Sequence, residues 1–233
     1  MNLDSELRPV VGPILKQHHR TASLALFRAR HRWRLHTWPL ILFSDEPRFS
    51  LRFSDGRYCM YRSRGERFAD QCIYESDRFG GGSVMVWAGI CHDGHTQLKI
   101  VQGTLIAIKY RDNILDPIVL PFLQQRNFDH VFQHDNARCH VPRVFQEFLN
   151  QNHIRVLSWP SLSPDLSPIE HLCDELGRRV RHCQNPQETL QELRDALVHE
   201  WNNIPQAFIQ RLTGSMRRRC EAVVAARGGH TRY

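Results

Sequence analysis

Three carboxylates stand where a side chain would leave a buried element. Asp45 follows the apolar run 40–43, and Asp135 follows Val131-Phe132-Gln133-His134 in the same way. Both therefore emerge at the C-terminal ends of strands, where open α/β sheets form their ligand sites. Glu170 follows a proline-punctuated loop and falls in the first turn of the next helix. Two strand ends and a helix start could hold one or two Mg²⁺ ions, which take hard oxygen ligands and keep waters for a substrate. Each residue also has a plainer reading. Asp45 and Asp135 could open turns or cap the following element. Ser167-Pro168-Ile169-Glu170 has the form of a capping box with proline at the first helical position, which would occupy Glu170 at the helix N-terminus.

Other chemistries find less support. His134 and His140 bracket Asp135, but a histidine metal site there needs a third partner that the spacing does not supply. Gly80-Gly81-Gly82 lacks the Gly-Lys-Ser/Thr of a phosphate loop, and no G-x-S-x-G elbow occurs. The seven cysteines are odd in number and form no C-x-x-C pair. That argues against a zinc site or a disulfide framework and for a reducing compartment, cytoplasm or nucleus.

Charge points to the partner. The formal net charge is +7, and 28 of the 31 basic residues are arginines, whose planar fork suits bidentate phosphate contacts. Arg178, Arg179 and Arg181, and then Arg217, Arg218 and Arg219, are clusters that would bind a polyanion backbone without reading sequence. Solvated helix faces, or an arginine-biased composition, would look the same.

The elements that must position these groups follow from patterning. A chain of 233 residues, 41% hydrophobic and 24% charged, can bury a sizeable core and excludes wholesale disorder, a collagen-like repeat and a small disulfide scaffold. No uncharged run reaches the roughly 18 apolar residues of a membrane span, and residues 1–13 lack a signal-peptide core. Residues 20–38 predict a basic helix stopped by Pro39. Residues 53–58 predict a hairpin around Asp55-Gly56, and residues 84–101 a second one turning at 92–95. Residues 108–122 carry a helical stripe that Pro117 and Pro121 must kink or split. Strands at 130–134 and 154–157 flank a helix with apolar residues at Val141, Val144, Phe145, Phe148 and Leu149. Helices follow over 169–181, 186–201 and 205–226. The order implies an α/β fold, one mixed central sheet flanked by helices.

Read together, Phe43-Ser44-Asp45-Glu46, His134-Asp135-Asn136-Ala137-Arg138-Cys139-His140 and the segment from Trp159-Pro160 to Ser167-Pro168-Ile169-Glu170 resemble the catalytic domain of Tc1/mariner transposases. Thirty-four residues separate Asp135 from Glu170, the interval of the Tc1-like branch, and Arg227-Gly228-Gly229-His230-Thr231-Arg232-Tyr233 resembles a Tc1 terminus. Two positions depart from the family's pattern: Ser167 stands where asparagine is frequent, and Cys173 where tryptophan is.

The resemblance implies an RNase H-like fold and a DDE triad of Asp45, Asp135 and Glu170 holding two Mg²⁺ ions, with Mn²⁺ able to substitute. In it Asp45 would bridge both ions, Asp135 complete one site and Glu170 the other, for two-metal phosphoryl transfer without a covalent protein intermediate. It also implies double-stranded DNA as partner, at terminal inverted repeats and TA targets, with Arg138 joining the DNA contacts, a homodimer, and a nuclear location. Residues 1–38 are expected to be a basic arm remaining after a helix-turn-helix region, and 39–233 the catalytic domain. A transposon-derived DNA-binding protein without catalytic output and a generic RNase H-like nuclease are the alternatives.

Overall fold

The computed structural model describes residues 15–30, 33, 37–51, 81–135, 139–140, 142–160, 163, 166–183 and 186–231. The central strand β1, Ile41–Asp45, is buried on both faces. Ile41 and Phe43 enter one hydrophobic cluster and Leu42 the other. Alternation of side chains along a strand thus turns one continuous apolar run into the floor of two cores. β2 (Arg48–Ser50) and the long β3 (Ser83–Cys91) follow, then the short β4 (Gly94–His95) and β5 (Lys99–Val101). β6 (Val131–Gln133) and β7 (Val156–Leu157) complete a mixed sheet in the order β2-β3-β1-β6-β7, with β4 and β5 both paired to β3.

β3 runs antiparallel to β1, with Asp45 opposite Ala88. β6 runs parallel to β1, pairing Ile41 with Val131, Leu42 with Phe132 and Phe43 with Gln133. Parallel pairing needs a crossover, and here it is a long helical connection. α2 (Ala107–Tyr110) runs into a wide-turned segment Arg111–Val119 and then α3 (Leu120–Gln124). These cover one face of the sheet together with α4 (Arg143–Gln151), burying Trp87, Tyr110, Ile114, Leu115 and Phe145 around Leu42. On the other face lie α5 (Pro168–Arg181), α6 (Leu190–Asn202), α7 (Gln206–Gly214) and α8 (Met216–Ala225). α1 (Gln17–Arg30) packs on α8, and its Phe27 lies in the same core as Phe43 and Trp159.

The hairpin over 84–101 forms as patterned, whereas the one at 53–58 lies outside the described residues. Three expectations change. The first helix ends at Arg30, and Pro39 instead sits in a short 3₁₀ turn, Trp38–Leu40. The helix over 107–124 stays continuous but changes type around its prolines: Pro121 falls in the first turn of α3, and Pro117 sits where the turns are wide, the Leu120 N–H reaching back five residues to the Leu115 carbonyl. In that register the carbonyls no longer crowd a proline ring as in an α-helix. The single helix expected over 205–226 breaks at Ser215, whose hydroxyl donates to the Leu212 carbonyl at 2.6 Å. The poor helix former Gly214 precedes it.

The C-terminal segment closes against α1. Arg227 and Gly228 both take positive φ after α8, and the Gly228 N–H returns to the Val223 carbonyl at 2.9 Å. A Cβ on Gly228 would fall 2.2 Å from the Arg20 carbonyl oxygen, at a φ of +77°. Gly228→Ala is therefore expected to cost roughly 1–3 kcal/mol in a urea melt, since neither the strained backbone nor the approach to Arg20 tolerates a methyl.

Candidate active site

The pairing of β1 with β6 builds the first half of the site. Carried on from the β1–β6 pairs at the same offset of 90 residues, the register sets Asp45 level with Asp135 just past the end of β6. Neighbouring strands lie about 4.8 Å apart, so the two carboxylates share one sheet edge. Ser44 ties these ends together, its hydroxyl donating to the Gln133 carbonyl at 2.9 Å. α5 supplies the second half. It packs on β1 through Ile169, Leu172, Cys173 and Leu176, which brings its first turn, and Glu170, toward Asp45.

Glu170 does not cap that helix. Ser167 makes no side-chain cap hydrogen bond, and its buried Oγ finds no partner among the described residues. A complete capping box does form at α6, where Thr189 and Glu192 bond each other's backbone. The capping reading of Glu170 is thus set aside by the geometry of the turn itself.

Electrostatics report how closely the carboxylates crowd. Burial, then the charges of Glu170, Glu46 and Asp135, push Asp45 up to about 8. Burial, then Asp174, Asp135 and Glu46, push Glu170 up to about 7. Like charges in a desolvated space disfavour each other's ionisation. A cleft of about 690 Å³ opens at this edge, lined by Asp45, Glu46, Asp135, Arg48, Ser83 and Cys139 among others. Glu170 is not part of that lining and joins from the side through its field at Asp45.

Sequence reading passed over Glu46, Tyr110 and Arg48. Glu46 is adjacent to Asp45, and that Asp-Glu pair was its only signal. Its Oε1 accepts from the Tyr110 hydroxyl at 3.0 Å, and Tyr110 in turn accepts from Trp87 Nε1 at 2.8 Å. Glu46 is also the partner that the histidine reading lacked: Glu46, Asp135 and His140 each offer a ligand atom within 4.8 Å of the others. Burial pulls the His140 imidazolium down, but the neighbouring Asp135, Cys139 and Glu46 side chains outweigh it and hold it up at about 12. A second cluster, Cys91, Asp93 and His130, lies at the far end of β3. There Asp93 already accepts from the Cys91 thiol, His130 and Arg126, which makes it a clasp between turns.

The predicted DNA-contacting arginines separate. Arg178, Arg181, Arg217 and Arg218 are exposed. Arg179 is partly buried and pairs with Glu175 at 3.0 Å. Arg219 is a correction: it is 1% exposed, its Nε donating to Ser215 Oγ at 2.9 Å, so it supports the α7–α8 corner and offers no surface to a polyanion. Arg138 lies outside the described residues. The α5 cluster begins about 12 Å along the helix from Glu170.

A two-faced mixed sheet whose central parallel strands end in crowded carboxylates is the RNase H-like arrangement, and residues 40–194 match the DDE superfamily endonuclease family. The chain belongs to that family, as a transposase catalytic domain of the Tc1/mariner type, an enzyme of the metal-dependent DNA transposase and endonuclease class. It is 35% identical over 229 residues to the Tc1 transposase of Caenorhabditis elegans, covering 97% of this chain and 82% of that protein. To the Tc3 transposase of Caenorhabditis elegans it is 30% identical over 229 residues, covering 98% of this chain and 67% of the other. The catalytic domain of Mos1 mariner transposase has the same fold, with a TM-score of 0.68 at 18% identity over 95% of this chain and 99% of that one. A Mos1 paired-end complex with the left transposon end superposes with a TM-score of 0.73 at 20% identity, over 99% and 68%.

The crowding has a measurable sign. With Asp45, Glu170 and His140 all raised above their ordinary values, the folded state holds more protons than the unfolded one between about pH 6.5 and 8. Stability is then lost as pH rises through that window. His134, lowered to about 4, acts oppositely only below its ordinary 6.5. In denaturant melts with EDTA, stability should fall from pH 6.5 to 8, and Asp45→Asn should flatten the slope.

Proposed function

We propose that Asp45, Asp135 and Glu170 are the catalytic carboxylates, that they hold two Mg²⁺ ions for which Mn²⁺ can substitute, and that the chain cleaves and joins DNA at transposon ends and TA targets. The carrying observation is the crowding itself. Burial and like charge raise Asp45 and Glu170 far above ordinary carboxylates, a strain that either protonation or a bound cation relieves at neutral pH. The donor set fits the group: hard carboxylate oxygens at an open cleft suit Mg²⁺ or Mn²⁺. Bound there, such cations supply an activated oxygen nucleophile and stabilise the leaving oxygen of an in-line phosphoryl transfer.

The chain's own residues do the rest. β1 and β6 fix two carboxylates on a rigid sheet edge, and α5 brings the third. Arg48 lines the same cleft, its Nη1 held by Ser83 Oγ at 3.1 Å, where a guanidinium can steady a phosphate. Exposed Arg178, Arg181, Arg217 and Arg218 supply non-specific attraction for the backbone. Paired transposon ends in the Mos1 complexes support a dimer on terminal inverted repeats, and a DNA substrate is consistent with a nuclear location.

The test is Mg²⁺- or Mn²⁺-dependent nicking of a supercoiled TA-containing plasmid. Asp135→Ala and Glu170→Ala are each expected to lose ~10³-fold or more, the scale of removing a group that stabilises the transition state. Strand-transfer products distinguish a transposase from a generic nuclease. Equal cleavage by wild type and both variants would sink the carboxylate assignment, and DNA binding without cleavage would favour a protein lacking catalytic output. Changing Arg178, Arg181, Arg217 and Arg218 together to alanine is expected to weaken DNA binding across all sequences and to reduce the log–log salt slope by up to about 4.

A further inference from the structure

His140 is more than a histidine that found a place in the core. Its ring is 1% exposed, and it packs edge-on to Tyr110 at 4.6 Å and beside Phe145 at 5.1 Å. Within that fixed frame, Nδ1 lies 2.8 Å from the main-chain carbonyl of Asp135 and 2.9 Å from its carboxylate Oδ1. One nitrogen thus grips the backbone and side chain of the same residue, restraining both torsions of the aspartate. The restraint matters because the Asp135 side chain is 55% exposed and Asp135 lines the cleft. On the other edge, Nε2 has no hydrogen-bond partner among the described residues, and Glu46 Oε1 stands 3.6 Å away, itself held by the Tyr110 hydroxyl.

We propose that His140 is a positioning residue: its imidazole, seated between Asp135 and Glu46, sets the carboxylate orientation that Asp135 presents to a divalent cation. This rests on the reading of the site as a metal centre. Trp87, Tyr110 and Glu46 brace the ring from the protein side, so the aspartate is ordered before a cation arrives. A preordered ligand does not have to give up rotational freedom on binding, and partners that orient metal ligands contribute to affinity for that reason.

The experiment is Mn²⁺ binding to the full chain, read from the free-ion electron paramagnetic resonance signal, with nicking measured in parallel. His140→Phe keeps the ring and removes both nitrogens; it should weaken Mn²⁺ binding by ~10- to 100-fold, the effect of losing a partner that orients a ligand. His140→Asn keeps a donor at the Nδ1 position and should stay within about threefold of wild type. His140→Gln places its amide at the Nε2 position and should bind as poorly as the Phe variant, which keeps the comparison decisive if His140→Phe fails to fold. A ring serving packing alone would not separate Asn from Gln. Equal Mn²⁺ binding by wild type, His140→Phe and His140→Gln would overturn the proposal. If wild type and Asp135→Ala bind Mn²⁺ equally, the metal reading itself falls; if they differ while the His140 variants match wild type, only this inference does.

Discussion

The parallel pairing of β1 with β6 is the constraint on which the rest of this molecule depends. It sets two strand ends side by side, with Asp45 the last residue of β1 and Asp135 two residues past the end of β6. Such a pair cannot be joined by a tight turn, so the chain makes a helical crossover through α2 and α3. That crossover forms the second layer and delivers Tyr110 to the site. The other layer follows from the same strand. Because Ile41 and Phe43 face away from Leu42, a helix must cover them, and α5 does so while carrying Glu170 on its first turn.

The site so built is electrostatically unfavourable as protein alone. Asp45, Glu46 and Asp135 share one edge with Glu170 beside them, and the burial of Asp45 and Glu170 denies these two the screening that would make such proximity cheap. The fold tolerates this through packing elsewhere. Phe43 and Trp159 meet edge-on at 6.0 Å, and Trp159 meets Phe27 of α1 at the same distance, an aromatic stack beneath the carboxylates. α1 therefore belongs mechanically to the body that carries the site, whatever residues 1–38 do in addition.

Positive charge is divided between two tasks. Some cations are taken up by the fold: Arg219 props the corner between α7 and α8, Arg126 completes the clasp with Asp93, and Arg179 pairs with Glu175 one turn earlier in α5. Others, Arg178, Arg181, Arg217 and Arg218 among them, face solvent. A run of three arginines in sequence winds around a helix at 100° per residue, so Arg217 and Arg218 point outward while Arg219 turns in.

What the sequence by itself determined is most of the order and type of the elements and the placement of Asp45 and Asp135 at strand ends and Glu170 at a helix start. Apolar runs ended by aspartate and the hairpin over 84–101 are local signals, legible because strand burial and helix starts leave marks within a few residues. Tertiary structure alone decided what happens between such segments. Pro117 reads as a helix breaker until the wide turns around it are seen, and Ser167 reads as a side-chain cap until its hydroxyl is found buried with no partner among the described residues. His140 lacked a third partner in sequence because Glu46 lies 94 positions away and reaches it only after β1 and β6 pair. Convergence of residues distant in the chain is set by register and packing, and no window of neighbouring residues contains either.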